Sequence, residues 1–241
     1  MEIESFADDN SGSVPLLQVL DMYNNEFAAV GLKDAEFTYY SDSEEMPLVL
    51  NGISLEVGKG QDAAFTGHSG CGKSTVLKVL MGIYKLDKGS SYYKNAAGDV
   101  TVSDNTMRNM FAYVPQGNLL MTGTIRDVIC FADKSRSNDI EAINHALRIA
   151  CADEFVSELA DGADTVLGER GAGLSEGQMQ RIAIARAVFS GHPILLLDEA
   201  LCKCICIYLV RPSLVECRVT VLDGESILDD CLDLRTLRDI G

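Results

Sequence analysis

The sequence predicts an α/β fold in which a mostly parallel sheet carries an inserted block of helices. Short strand-like runs stand on both sides of a mostly helical stretch from about residue 124 to residue 190. A glycine-rich turn separates one of these strands from a helix, and the apolar run from Ile194 to Leu197 contains no polar position. Such a run is typical of a strand covered by helices on both faces. Strands interrupted by a helical block indicate an α/β core with a helical insertion.

The elements follow one another in a clear order along the chain. Residues 1–30 are predicted to be an acidic tail or linker with room for one short helix, and residues 31–241 to form the domain. A helical subdomain is expected over about residues 117–190, and a hairpin after Tyr92 predicts a small antiparallel β subdomain. The other expected elements are strands at 32–40, 53–57, 62–66, 111–114 and 194–197, and helices at 74–83, 140–150 and 175–189.

Composition and charge exclude several classes of protein. The chain has 241 residues, of which 47% are apolar, so one domain with a sizeable core is expected. No run approaches the roughly 18 to 20 apolar residues that a membrane-spanning helix needs. Met1 to Asn10 is acidic and does not resemble a secretory signal. The net charge of −16 argues against a nucleic-acid partner, because phosphate-backbone binding needs a basic surface.

The cysteines indicate free thiols rather than a disulfide framework. There are eight of them and no signal peptide, as expected of a chain in a reducing compartment. Cys202, Cys204 and Cys206 form a C-x-C-x-C run. No second cluster accompanies this run, so the usual arrangement of a structural zinc site is missing. A metal ion is therefore not expected there.

The glycine-rich turn has the pattern of a phosphate-binding loop. The run from Gly67 to Thr75, Gly-His-Ser-Gly-Cys-Gly-Lys-Ser-Thr, matches G-x-x-x-x-G-K-[S/T] between a strand and a helix. Its N–H groups are predicted to surround the α- and β-phosphates, Lys73 to reach the β- and γ-phosphates, and the Ser74 hydroxyl to bind Mg²⁺. The alternative is a strand–helix turn that binds nothing. That alternative is disfavoured because Lys73 and Ser74 are both in register.

Two carboxylates follow the apolar strand 194–197. Asp198 is placed to hold the hydration shell of Mg²⁺, and Glu199 to polarise an attacking water as a general base. Such a pair at a strand end can instead serve only as a cap, and alone this would be the better interpretation. Beside a phosphate loop, the interpretation as a nucleotide site is favoured.

A capping box predicts the start of a helix at Ser175 and also carries a family resemblance. Ser175-Glu176-Gly177-Gln178 satisfies S-x-x-[E/Q]. With Leu174 it resembles the L-S-G-G-Q signature of ABC ATPases, and Gln180-Arg181 follows as in that family. Together with the phosphate loop and the Asp-Glu strand, these motifs identify the chain as similar to the ATP-binding domain of an ABC transporter of the exporter type, with a P-loop NTPase core. The resemblance covers about residues 32–200.

The resemblance assigns further residues to the site. Tyr39 matches the aromatic residue that stacks on adenine, and Gln116, in Val-Pro-Gln, matches the glutamine that binds Mg²⁺ and senses the membrane partner. Gly168 to Gly171 is similar to a short loop of exporters. The nucleotide-binding residues implied are Tyr39, Gly67, Ser69, Gly70, Cys71, Gly72, Lys73, Ser74, Thr75, Gln116, Ser175, Gly177 and Gln178; Ser74, Gln116 and Asp198 would bind the metal, and Glu199 would be catalytic.

The family also implies a mechanism and partners. Two such domains, identical or different, pair head to tail, so Ser175 and Gly177 would contact the γ-phosphate of an ATP held by the partner domain. The cofactors would be ATP and Mg²⁺, and hydrolysis would drive transport through a transmembrane domain or subunit. The chain would lie peripherally on the cytoplasmic face of the membrane.

The chain departs from the family after Glu199. Leu201-Cys202-Lys203-Cys204 stands where the family has a Ser-Ala-Leu-Asp turn, the D-loop. The three histidines all precede Asp198, so the residue that contacts the γ-phosphate from a later strand has no counterpart. The segment 200–241 is therefore considered atypical. These departures motivate an alternative, a hydrolysis-deficient ATP-binding remnant or regulatory module. A DNA-repair ABC ATPase is disfavoured by the acidic charge and the short spacing between motifs.

The apolar run from Cys204 to Val210 has no fixed place in the expected sheet. Only five residues, Glu199 to Lys203, separate it from the preceding strand. A parallel neighbour needs a crossover of a dozen or more residues, so this run cannot be a parallel neighbour. It is expected to pair antiparallel, to form a short helix or to stay loosely ordered. A further stretch, Arg218 to Gly224, resembles the closing strands of the family.

Overall fold

The computed structural model describes residues 14–39, 48–65, 67–68, 70–102, 105–117, 122–168, 173–198, 205–209 and 219–222. These residues fall into two compact units, and each is described by itself. The first unit lies within Met1–Lys59 and Gly70–Met110, and the second within Gly60–Ser69 and Phe111–Gly241. In the part of the chain covered by these ranges, no helix has both the length and the apolar character needed to cross a membrane.

Eleven strands and six α-helices are found in the described residues. The strands are β1 (Phe27–Phe37), β2 (Leu50–Gly58), β3 (Asp62–Phe65), β4 (Lys88–Asn95), β5 (Val100–Val102), β6 (Phe111–Val114), β7 (Gly123–Thr124), β8 (Val166–Leu167), β9 (Ile194–Asp198), β10 (Ile205–Leu209) and β11 (Val219–Leu222). The helices are α1 (Leu16–Asn25), α2 (Lys73–Leu80), α3 (Ile125–Ile129), α4 (Ile140–Ile149), α5 (Asp153–Glu158) and α6 (Glu176–Phe189). Short 3₁₀ helices occupy Asn105–Met110, Cys130–Ala132, Lys134–Arg136 and Gly162–Asp164.

The first unit contains an antiparallel sheet with the strand order β2-β1-β4-β5. This sheet is the predicted antiparallel β subdomain, and β4 with β5 is the hairpin expected after Tyr92.

The described part of the predicted tail forms α1 and the start of β1, so the helix expected there is present. Val19 and Tyr23 of α1 are buried. The Lys59 ammonium donates to the carbonyl oxygens of Tyr23 and Asn24, at 2.5 and 2.9 Å. Two carbonyl groups at the carboxyl end of α1 thereby gain a hydrogen-bond donor.

The second unit contains a five-stranded sheet with the order β11-β3-β10-β9-β6. Strands β11 and β3 are parallel, as are β9 and β6, whereas β10 is antiparallel to both of its neighbours. Four strands therefore run in one direction, and the predicted mostly parallel sheet is confirmed. Among the three outcomes expected for the run after Cys204, the structure has the antiparallel strand. Ile205 pairs with Phe65 on one side and with Asp198 on the other.

The helices of the second unit cover the expected helical block. They run from α3 to α6; β7 directly precedes α3, and its partner β8 lies between α5 and α6. Ile125, Ile143 and Ile182, one from each of α3, α4 and α6, are at most 1% exposed and share one apolar core with Leu195 and other strand residues. The first and the last helix of this block, α3 and α6, each begin with a capping box, because Thr124 and Ser175 each exchange hydrogen bonds with the residue three positions later.

An ion pair at the surface connects α3 to the 3₁₀ helix Gly162–Asp164. Arg126 Nε donates to Asp164 Oδ1 at 2.7 Å, and its Nη2 donates to Oδ2 at 2.9 Å. This two-pronged geometry holds both groups in one orientation. The hydrogen bonds from Arg126 lower the pKa of the Asp164 carboxyl below its usual value. The pair therefore stabilises the folded chain at pH values above the acid range, because the carboxylate is charged there.

Candidate nucleotide-binding site

The loop between β3 and α2 has the backbone that its glycines predict. Gly70 and Gly72 have φ angles of 83° and 98°, in the left-handed region that side-chain-bearing residues rarely adopt. Gly72 is the N-cap of α2. A Cβ atom at this position would lie 2.9 Å from the carbonyl oxygen of Val49, so glycine is required by space as well as by conformation. Ser69 lies outside the described residues.

The first turn of α2 presents the predicted phosphate-binding side chains. Lys73 begins the helix, followed by Ser74 and Thr75. Lys73 is 8% exposed, and its Nζ lies 3.9 Å from the sulfur of Cys71, which is itself exposed. The first N–H groups of an α-helix and the positive end of its dipole point toward the start of the helix. A lysine held at that end is a suitable arrangement for binding a phosphate anion.

Tyr39 is connected to the same helix. Its hydroxyl lies 2.9 Å from Thr75 Oγ1, and either oxygen can be the donor. The Tyr39 ring is edge-on to Phe37 and Tyr84, at centroid distances of 5.0 and 5.5 Å. The side chain nevertheless remains 37% exposed. An exposed ring that is held on two sides and joined to α2 is suited to stacking on a planar base.

Asp198 ends the buried strand β9 and is 2% exposed. The Tyr113 hydroxyl, from the parallel neighbour β6, donates to its Oδ2 at 2.8 Å. Gln116 follows β6 and is exposed. Sequence reasoning did not identify Tyr113, because no motif singles out a tyrosine in this strand. Only the pairing of β6 with β9 could have suggested it.

The carboxylate of Asp198 is a ligand of the kind that magnesium uses in proteins. Within the described residues, no group of three or more His, Cys, Asp or Glu side chains is placed to hold an ion. Mg²⁺ is usually bound through one or two carboxylates together with substrate phosphates and waters. A buried carboxylate such as that of Asp198 is costly unless positive charge or hydrogen bonds offset its burial. Its position at a strand end is therefore compatible with a hydrated cation.

The signature segment forms the predicted helix start. The Ser175 hydroxyl accepts from the N–H of Gln178 at 3.3 Å, and the Ser175 N–H donates to Gln178 Oε1 at 2.8 Å. Gly177 lies in the first turn of α6 and is exposed. A Cβ atom at Gly177 would meet nothing within 4 Å among the described residues. Neither packing nor an unusual φ angle therefore accounts for this glycine.

The structure brings together only some of the predicted site residues. Tyr39 contacts Thr75, Cys71 contacts Lys73, and Ser175 contacts Gln178. Ser74 belongs to the first unit, whereas Gln116 and Asp198 belong to the second. The metal site assigned to these three residues stays a prediction. Glu199 lies outside the described residues, as do Ser69 and three of the four residues of the Gly168 to Gly171 loop.

A glycine loop followed by a helix that begins at a lysine, in a chain with an α/β fold and a mostly parallel sheet, defines a P-loop nucleotide-binding domain. The sequence profile of the ABC transporter family matches residues 50–202. The chain therefore belongs to the ABC transporter family, and it is an ATP-binding domain of the exporter type.

Individual relatives agree with this assignment. The chain is 37% identical over 183 residues to an export ATP-binding/permease protein of Rickettsia conorii, a match that covers 76% of this chain and 31% of the relative. It is 39% identical over 172 residues to the toxin RTX-I translocation ATP-binding protein of Actinobacillus pleuropneumoniae, covering 71% and 23%. A bacterial Atm1-family ABC exporter solved with ATP bound is 34% identical, with a TM-score of 0.62 and coverage of 73% and 30%. The matched region thus spans about a third or less of each relative.

Proposed function

We propose that this chain binds and hydrolyses Mg·ATP to drive an ABC exporter. The observation that supports this most directly is the loop from Gly67 to Lys73, which leads into α2 with the glycine conformations of a phosphate site. Lys73 would neutralise the β- and γ-phosphates, and the N–H groups of the loop would hold the remaining phosphate oxygens. Tyr39 would stack on the adenine. Together these groups account for ATP binding by one domain.

Magnesium would supply charge neutralisation and would orient the γ-phosphate. We assign its protein contacts to Ser74, Gln116 and Asp198. Glu199, the residue after Asp198, would accept a proton from the attacking water, as a general base does. The buried position of Asp198 supports this assignment, because low solvent exposure strengthens the attraction between a carboxylate and a cation.

Hydrolysis would require a second domain. Ser175 and Gly177 are exposed at the start of α6, and the Ser175 hydroxyl, although it accepts from Gln178, keeps its own proton for an anion. We propose that this helix start contacts the γ-phosphate of an ATP held by a partner domain, identical or different. Similarity to export ATP-binding/permease proteins supports a transmembrane domain or subunit as the other partner, and hence a position at the cytoplasmic face of a membrane.

The relatives support the first candidate; a second, ATP binding without turnover, is motivated by one observation of this chain. Strand β10 runs antiparallel between β3 and β9, so its first residue, Ile205, lies beside Asp198 at the edge of the sheet. A parallel strand in the same place would have its last residue, rather than its first, beside Asp198. The sequence beyond Glu199 also lacks the D-loop and the histidine of the family. Under this alternative, the chain would bind nucleotide and act as a regulatory module or remnant.

Nucleotide binding and turnover of the 241-residue chain, measured with three variants, separate these candidates. We expect Lys73→Ala to weaken ATP binding by about 10- to 100-fold, since hydrogen bonds to charged groups contribute about 1.5–3 kcal/mol. Lys134→Ala, at an exposed lysine of the second unit, is the control and should leave binding unchanged. Glu199→Gln should bind ATP, accumulate ATP-bound dimers and lose turnover. Equal measurable turnover in the wild type and Glu199→Gln would contradict hydrolysis by this site, and binding without any turnover in the wild type would favour the second candidate.

A further inference from the structure

Tyr113 and Asp198 form a buried hydrogen-bonded pair at the end of two parallel strands. The Tyr113 hydroxyl donates to Asp198 Oδ2 at 2.8 Å. Asp198 is 2% exposed, and Tyr113 is half-buried. A phenol is both a donor and an acceptor, whereas an ionised carboxylate only accepts. The direction of this hydrogen bond is therefore fixed as long as Asp198 is charged.

The register of the sheet explains why Tyr113 reaches Asp198. Tyr113 pairs with Leu196, so their side chains project from the same face of the sheet. Asp198 comes two residues after Leu196 and therefore lies on that same face, about 6.6 Å further along the strand at 3.3 Å per residue. The length of a tyrosine side chain spans this diagonal. A shorter donor at position 113 would not reach the carboxylate.

From this geometry we propose that Tyr113 is a positioning residue for the metal, acting through Asp198. The inference rests on the proposed function, in which Asp198 faces the hydration shell of Mg²⁺. The carboxylate of an aspartate can rotate about its last side-chain bond, because the energy wells of that torsion are broad. A hydrogen bond to Oδ2 restricts this rotation. With Oδ2 held, the direction of the second carboxylate oxygen is also set, and this lowers the cost of ordering the carboxylate when the metal binds.

The expected consequence is specific to the metal. Residues that orient a metal-contacting group typically change metal affinity or activity by about 10- to 100-fold when they are lost. The effect here should lie near the lower end, at about 10-fold, because Mg²⁺ keeps most of its waters and binds the carboxylate weakly. Nucleotide binding without metal does not involve Asp198 in this scheme. It should therefore be unaffected when the Tyr113 hydroxyl is removed.

Tyr113→Phe in the full 241-residue chain tests the inference. This variant removes one oxygen atom and keeps the ring, so the packing of β6 is preserved; equal thermal unfolding midpoints would verify this. ATP affinity is measured as a function of Mg²⁺ concentration, and again in EDTA. We expect the Mg²⁺ concentration at half-saturation to rise about 10-fold, with unchanged affinity in EDTA. The EPR signal of free Mn²⁺ at fixed ATP gives an independent measure of bound metal.

The chain offers a matched control in Tyr92→Phe. The Tyr92 hydroxyl also donates to a carboxylate, at 3.0 Å from Glu56 Oε2, but on the antiparallel sheet of the first unit. This variant should leave the Mg²⁺ dependence unchanged. In an Asp198→Asn background, Tyr113→Phe should have no further effect on metal binding, since the two residues act as one unit.

The outcomes distinguish the inference from the function on which it rests. An unchanged Mg²⁺ half-saturation in Tyr113→Phe, with a metal-dependent wild type, would overturn the positioning role alone. An equal loss of affinity with and without metal would also overturn it, because the hydroxyl would then have a general structural role. A wild type whose ATP binding shows no dependence on Mg²⁺ would contradict the proposed function and the inference together.

Discussion

The hydroxyl of Tyr39 lies 2.9 Å from Thr75 Oγ1, and this hydrogen bond joins the exposed aromatic residue to the helix that begins at Lys73. Phe37 and Tyr84 hold the same ring by edge-to-face contacts. The orientation of the ring is thus largely set before a ligand arrives. A preformed stacking surface lowers the ordering cost of binding.

We expect substitution of Tyr39 to separate the roles of the ring and the hydroxyl. Stacking of a base on an aromatic side chain is worth about 1–3 kcal/mol. Tyr39→Leu should therefore weaken ATP binding by about 5- to 100-fold. Tyr39→Phe keeps the ring and loses only the bond to Thr75, so its affinity should fall by no more than about 10-fold. Isothermal titration calorimetry with ATP measures both changes.

Inorganic triphosphate provides the matched ligand control. It carries the phosphates without a base, so its own dissociation constant should be the same for the wild type and for Tyr39→Leu. If Tyr39→Leu weakened triphosphate and ATP to the same degree, the residue would support the loop rather than contact the base.

Ser175 and Gly177 should affect stability in opposite directions and dimer closure in the same direction. Ser175→Ala removes the hydroxyl cap of α6 and should lower the free energy of unfolding by about 1 kcal/mol. Gly177→Ala places a methyl group in open space within a helix and should raise it by about 0.4–1 kcal/mol. Both variants should reduce ATP-dependent dimerisation, because each alters the surface that would face the γ-phosphate of the partner's nucleotide.

Chemical denaturation and size-exclusion chromatography with ATP measure the two effects. Glu154→Ala is a suitable control, since Glu154 is exposed and lies on a different helix, α5. It should leave dimerisation within about 2-fold of the wild type. A Gly177→Ala chain that was more stable and dimerised normally would show that this glycine serves no ligand.

His192 should make the folded chain sensitive to mild acid. Burial lowers the pKa of the His192 imidazole below its usual value, and its Nδ1 lies 2.8 Å from Ser190 Oγ. Below about pH 6.5 the His192 imidazole binds a proton in the unfolded chain but still remains neutral in the folded chain. The stability present above that pH is therefore lost as the pH falls from about 6.5 through the lowered folded-state pKa of His192.

His192→Asn should flatten this part of the pH profile. The measurement is the urea midpoint at a series of pH values between about 7.5 and 5.5, a range that includes the ordinary pKa of histidine. His145→Asn is the control, because it makes the same substitution at a histidine that is exposed on α4. Identical slopes in the wild type and His192→Asn would mean that His192 is not responsible for the acid sensitivity.

Local sequence patterns predicted much of the fold and several parts of the site. The phosphate loop was predictable because its glycines are required by backbone conformation, which the sequence records directly at Gly70 and Gly72. The start of α6 was predictable for a similar reason, since Ser175 and Gln178 satisfy each other within one turn. The strand 194–197 was predictable from its continuous apolar character, and it extends to Asp198.

Relationships between distant segments were not predictable in this way. The contact of Tyr113 with Asp198 depends on the pairing and register of β6 and β9, which 85 residues of sequence separate. The direction of β10 was open among three outcomes, because a short apolar run is compatible with a strand or a helix. The bond from Tyr39 to Thr75 likewise arises from tertiary packing, although both residues were already expected to bind the nucleotide.

The antiparallel pairing of β10 with β9 also affects the entropy that the chain loses when the strands of the sheet come together. Ile205 is 7 residues from Asp198, its partner on β9, but 140 residues from Phe65, its partner on β3. Loop-closure entropy scales with the logarithm of this separation, so the first pairing costs about 2.7 kcal/mol less than the second would alone. Once β10 has paired with β9, the other edge of β10 is available to pair with β3. The middle of the sheet is thus completed from its most local pair, and the segment carrying the phosphate loop is the part that must be brought in from far away in the chain.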